Sequence, residues 1–95
     1  MAGEGMRIDQ WLWFARLCKS RSLAQKMIAQ GLVRLNRQAV EKAGALLRPG
    51  DEVALPQGRQ QLRLRVLALA ERRGPAAAAV QLYLLLDRLP RDDDV

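Results

Sequence analysis

The chain is 95 residues long, enough for one domain with a single modest core and too short for a second. Sixteen lysines and arginines outnumber ten aspartates and glutamates, for a net charge of +6, and residues 7–48 alone carry nine basic side chains against Asp9 and Glu41. A single cysteine, Cys18, excludes an internal disulfide, the lack of histidine argues against a metal centre, and the concentrated positive charge points to a polyanionic partner.

Residues 1–6 read as a disordered lead into a domain over residues 7–89, with Met6-Arg7 as the point where ordered structure begins. Ile8, Trp11, Leu12, Ala15 and Cys18 then follow the i, i+3, i+4, i+7 spacing of one helical stripe, which predicts a first helix from Ile8 to Cys18. Trp13, Phe14 and Leu17 fall off that stripe and serve either a second packing face or stacking on unpaired bases. Asp9 is read as a cap or first-turn acid of this helix, or as the partner of a neighbouring arginine. Cys18 reads as a small buried hydrophobe.

Leu23, Ala24, Met27 and Ile28 form a second stripe, which stops at Gly31, the usual residue for a left-handed exit. Ser20 is a candidate N-cap, and Ser22 with Gln25 a candidate capping box. Ser22, Gln25, Lys26 and Ala29 face outward, with Arg21 at the edge of that face. Lys19 and Arg21 therefore stand at the start of the second helix, where the macrodipole is already positive and acids are favoured. Cations there lose a few tenths to about 1 kcal/mol, yet beside the unpaired amides of a first turn they build an anion pocket whose natural occupant is a phosphate.

Beyond Gly31 the rhythm changes to alternation. Val33 and Leu35 point one way and Arg34 and Asn36 the other, as in a half-buried strand, with Ala39-Val40 beginning the returning arm. Pro49-Gly50 fits the centre of a type II turn, after which Val53 and Leu55 restart a strand. Leu62, Leu64 and Val66 alternate with Arg63 and Arg65 in the clearest strand of the second half. Pro75 opens an alanine-rich stretch to Asp87 that favours a C-terminal helix, although Val80 to Leu86 fits a buried strand equally. The uncharged run from Gly74 to Leu86 falls short of the ~20 residues of a membrane span, so no membrane association is expected. The residues from 90 to 95 read as a solvated acidic tail. With one cysteine and no secretory leader, a cytoplasmic location is expected.

The string Arg7-Ile8-Asp9-x-Trp11-Leu12, Arg16, Lys19-Ser20-Arg21, Ala24, Gly31-x-Val33-x-Leu35-Asn36 and Pro49-Gly50-Asp51 resembles the S4 RNA-binding domain, over Arg7 to Leu55. Within that family, Trp11-Leu12-Trp13, Glu71-Arg72-Arg73-Gly74-Pro75-Ala76 and Tyr83 are similar to the bacterial heat-shock protein 15 group. The resemblance implies an α+β fold with two N-terminal helices on a small, mainly antiparallel sheet, extended beyond about residue 71. It also implies structured RNA, above all ribosomal RNA and the large ribosomal subunit, as partner, and a role in rescuing or recycling large subunits that carry a stranded nascent chain under stress. The RNA surface it implies consists of Arg7, Arg16, Lys19, Ser20, Arg21, Gln25, Lys26, Arg34 and Asn36; Arg37, Lys42 and Arg48 are peripheral candidates by their charge alone. Family hairpins turn at Asn-Gly; here Arg37 follows Asn36, and a left-handed Arg37 costs on the order of 1–2 kcal/mol, which predicts a wider turn.

The inventory does not favour an enzyme. It offers no histidine, no metal-ligating cluster, no glycine-rich phosphate loop and no catalytic second domain, and it implies no cofactor. Lys19 beside Ser20 makes a poor dyad, because adjacent helical residues diverge by about 100°. Two further readings stand beside RNA binding: an adaptor using the apolar Val80 to Leu86 segment, and DNA binding, weakened because neither basic helix face carries an array for major-groove reading. A monomer is expected.

Overall fold

The structure, a computed structural model, describes residues 5–91. Its elements run β1 (Met6–Arg7), α1 (Ile8–Phe14), α2 (Arg21–Ala29), β2 (Arg34–Leu35), β3 (Gln38–Ala39), β4 (Leu46–Leu47), β5 (Glu52–Gln57), β6 (Gln60–Val66), α3 (Ala76–Ala79), a 3-10 turn (Val80–Leu82) and β7 (Tyr83–Pro90). One antiparallel sheet has the order β3-β2-β5-β6-β7, and β1 pairs separately with β4. This is the expected α+β architecture. Val53 and Leu55 on β5 and Leu62, Leu64 and Val66 on β6 are all buried, in one core with Ile8, Trp11, Leu12, Ala24 and Ile28 from the helices. Burying each aliphatic side chain of this kind is worth roughly 1.5–3 kcal/mol.

The first helix is shorter than its apolar stripe. Ala15 caps it and Arg16 turns left-handed at φ 61°. Arg16 N donates to Trp13 O at 3.1 Å and Leu17 N to Leu12 O at 3.0 Å, the paired bonds of a Schellman exit. Leu17 and Cys18 then enter the core from non-helical chain, so burial prolongs the apolar spacing past the end of the helix. Helix α2 ends by the same motif, with Gly31 at φ 75°, Gly31 N on Ile28 O and Leu32 N on Met27 O, both at 3.0 Å.

The β2–β3 hairpin corrects a second expectation. Leu35 pairs directly with Gln38, which leaves only Asn36 and Arg37 for the turn, at φ 52° and 74°, so the loop has two residues and is not widened. Asn36 offsets the strain: its N donates to Glu52 O at 2.7 Å, its Oδ1 accepts from Glu52 N at 2.9 Å, and its Nδ2 donates to Asp51 Oδ1 at 3.2 Å. The turn at Pro49-Gly50 is as expected, with Gly50 at φ 96° and Asp51 N donating to Arg48 O at 3.1 Å.

The C-terminal half departs most. The alanine run supports one four-residue turn of helix, and from Tyr83 the chain is strand, not the longer C-terminal helix favoured by propensity. Pairing decides: Tyr83, Leu84 and Leu85 lie opposite Val66, Arg65 and Leu64, with a bulge between Arg63 and Leu64. The Tyr83 ring meets Trp11 edge-on, centroids 6.4 Å apart, and the Trp11 indole donates to Ala68 O at 3.0 Å. The strand is an edge rather than a buried one, with Leu84 and Leu89 about half exposed. At the two ends, Met6 pairs with Leu47, as expected of the point where order begins, and Pro90 belongs to β7, with Arg91 N on Arg59 O at 2.9 Å. The rest of the expected lead and the aspartates of the tail lie outside the described residues.

Candidate nucleic-acid interface

Ser20 Oγ accepts from Leu23 N at 3.0 Å, which makes Ser20, and not Ser22, the cap of α2. Arg21 is thereby the first helical residue. Capping consumes the third amide of the helix and leaves those of Arg21 and Ser22 at its positive end. Ser22, Gln25, Lys26 and Ala29 lie on the outward face, as their spacing predicts.

Beneath this end lies Asp9, in the first turn of α1 and fully buried. Its Oδ1 accepts from Gln10 N at 2.8 Å and Arg7 Nε at 3.1 Å. Its Oδ2 accepts from Arg7 Nη2 at 3.0 Å, Gln25 Nε2 at 2.9 Å and Arg21 Nε at 3.3 Å. One carboxylate therefore gathers three expected site residues from the end of β1 and from α2. Burial alone would raise the Asp9 pKa, but hydrogen bonds from Arg7, Gln25 and Arg21 and the charge of Arg21 outweigh it and hold the carboxyl at about 2. The same contact raises the Arg7 guanidinium further above its ordinary value.

Asp9 grips Arg21 by Nε only, so both terminal amino groups of that guanidinium keep no hydrogen-bond partner among the described residues. A guanidinium fixed in orientation and open at its fork suits bidentate contact with a phosphate. Lys19 is exposed and, like Lys26, forms no ion pair among the described residues. Lys26 stands in the last turn of α2, whereas Arg21 and Lys19 flank its start, where the Arg21 and Ser22 amides have no partner among the described residues; this end can bind a phosphodiester by charge and direction, and nothing in it selects a base.

Other expected site residues are placed elsewhere. Arg16 is exposed but held to Gly74 O by its Nε at 3.0 Å, away from Asp9. Arg34 is exposed on the hairpin and reaches Arg37 O at 3.4 Å. The Asn36 amide clasps Asp51 and Glu52, so its work is to hold the turn. Sequence reasoning missed that Asp9 is the joint between the helices. The available signal was an acid among apolar stripe residues with a basic pair nearby, which gives a pairing but not its partner twelve residues on. It also missed Arg73, whose guanidinium lies 5.5 Å above the Trp13 ring.

The S4 domain family model matches residues 6–53, the segment that holds the Asp9 joint, both helices and the hairpin. The chain is 37% identical over 83 residues to the heat shock protein 15 homolog of Haemophilus influenzae, covering 87% of this chain and 63% of that protein. It is 38% identical over 78 residues to heat shock protein 15 of Escherichia coli, covering 82% and 58%. It thus spans about three fifths of the length of these relatives. It is also 32% identical over 81 residues to the RQC P-site tRNA stabilizing factor of Bacillus subtilis, covering 85% of this chain and 92% of that one. The trimeric structure of Vibrio cholerae heat shock protein 15 superposes with a TM-score of 0.82 at 35% identity, over 86% of this chain and 82% of that chain. The chain belongs to the S4 domain family.

Proposed function

We propose that the protein binds structured ribosomal RNA through phosphates at the α2 entrance and serves in the cytoplasm in rescuing or recycling large ribosomal subunits that carry a stranded nascent chain. The observation that carries this reading is the buried Asp9 carboxylate, which holds Arg21 by Nε alone at the first turn of α2, while Lys19 stands unpaired among the described residues. The names of the relatives, two heat shock proteins and a P-site tRNA stabilizing factor, support a ribosomal setting. A-form RNA is recognised mostly by shape and phosphate contact, which matches a site of arginine, lysine and amides. Arg7, Asp9, Arg21 and Gln25 come from one chain, so a single copy suffices.

Sedimentation with separated ribosomal subunits and with free ribosomal RNA tests the reading. The chain is expected in the large-subunit and RNA fractions, with the Lys19→Ala/Arg21→Ala variant left at the top of the gradient. Cosedimentation of that double variant at wild-type levels would overturn the site. The exposed leucines of β7, Leu84 and Leu89, favour an adaptor as the second reading. Binding that survives nuclease and high salt and ignores Arg21→Ala would select it.

A further inference from the structure

Residues 72–74 lie beyond the segment matched by the family model, yet they pack against the exit of α1. Arg73 lays its guanidinium over the Trp13 indole and donates from Nε to Trp13 O at 3.0 Å. Arg16 reaches the same stretch from the helix exit, its Nε on Gly74 O. Arg72, between Glu71 and Arg73, is exposed and makes no hydrogen bond or ion pair among the described residues.

Arg16 and Arg73 are thus each fixed through Nε by a backbone carbonyl, and their terminal amino groups have no partner among the described residues. No carboxylate among the described residues pairs with any of the three arginines. This is how Arg21 is presented on Asp9, achieved with carbonyls in place of a carboxylate. Neutral acceptors orient the forks without cancelling their charge.

Arg16 also sits where a glycine is easiest. The exit of α2 uses Gly31 for the left-handed residue, whereas the exit of α1 uses an arginine at φ 61°. A strained non-glycine residue whose side chain is exposed and charged marks a place where the side chain matters. Arg16 and Lys19 are three positions apart, so their Cα atoms lie within about 11 Å of each other.

We infer that Arg16, Arg72 and Arg73, braced by Trp13, form a second phosphodiester-binding point, which holds the RNA strand as it leaves the α2 entrance. The inference rests on the RNA-binding reading and adds to it Arg72 and Arg73, which lie outside the family segment, beside Arg16 within it.

Arg16→Gly is the informative variant. It removes the cation and gives the left-handed position its preferred residue, so the fold is kept; Arg72→Ala removes a side chain with no partner among the described residues. Binding of purified large-subunit ribosomal RNA is measured on filters across a salt series, beside thermal unfolding of each variant. Each substitution is expected to weaken binding about tenfold at low salt, as for loss of a charged hydrogen bond, and to lower the slope of log affinity against log salt by about 0.7–0.9, without lowering Tm. If Arg16→Gly loses stability as well as binding, Arg72→Ala decides. Wild-type affinity and slope in the Arg16→Gly/Arg72→Ala double variant, while Lys19→Ala still weakens binding, would overturn the second point and leave the first. Wild-type binding in all of these variants would remove both phosphate points, and failure of the wild type to bind would remove the RNA reading itself.

Discussion

Asp9 shows how one buried charge can organise a surface. Its carboxyl is held down from 3.8 to about 2, so as the pH falls the unfolded chain takes up its proton first. The stability this supplies is fully present above the unfolded value and is lost as pH drops through about 2. Its size is on the order of 1–2 kcal/mol, because Arg7 and Arg21 remain partly exposed and screened by solvent. Urea unfolding at pH 7, 4 and 2 should show that loss in the wild type and a flatter profile in Asp9→Asn. The same variant separates orientation from charge. It makes the chain more positive by one, which by attraction alone would tighten RNA binding, but it frees the Arg7 and Arg21 forks. Weaker binding is expected in a filter assay, and tighter binding would show that net charge dominates. Cys18 gives a second test at this scale: burial pushes its thiol up to about 11, so a disulfide reagent at pH 8 should label it only as fast as the chain unfolds.

At the level of elements, backbone conformation sets which substitutions help. Gly31 is left-handed, and a Cβ added there would meet open space, so Gly31→Ala incurs strain without a clash and should cost about 1–2 kcal/mol in chemical denaturation. Arg37 is the converse, left-handed at φ 74° with an exposed side chain, and Arg37→Gly should stabilise by about 1 kcal/mol while leaving the hairpin register unchanged. Both helices, the β2 hairpin and strands β5 and β6 were legible in the sequence, because stripe and alternation record which faces are buried. The length of α1 was not, since Leu17 and Cys18 keep an apolar spacing after the helix has ended. Neither was β7: alanine propensity acts locally, while the pairing of Tyr83 with Val66 and its packing on Trp11 join residues far apart in sequence. For the site, Lys19 and Arg21 could be read from the helix start, but the grip of Asp9 on Arg21 and of Arg16 on Gly74 depends on tertiary approach.

Across the whole molecule, positive charge is divided between two tasks. Arg63 bridges three strands, with Nη1 on Glu52 Oε1 at 3.2 Å and Nη2 on Asp87 Oδ2 at 2.6 Å, so its charge is matched within the sheet. Lys19 has no such counterpart among the described residues. A polyanion that releases counterions on binding registers only the cations it neutralises, which makes the salt slope a count of contacts and not of net charge. Arg63→Ala and Lys19→Ala change net charge equally. The first should lower Tm, because it strands Asp87 on a half-covered sheet face, and leave the salt slope at its wild-type value. The second should leave Tm unchanged and reduce the slope by about one. Equal loss of slope in the two variants would mean that the RNA senses the overall field of the molecule, and the α2 entrance would lose its claim to be the binding site.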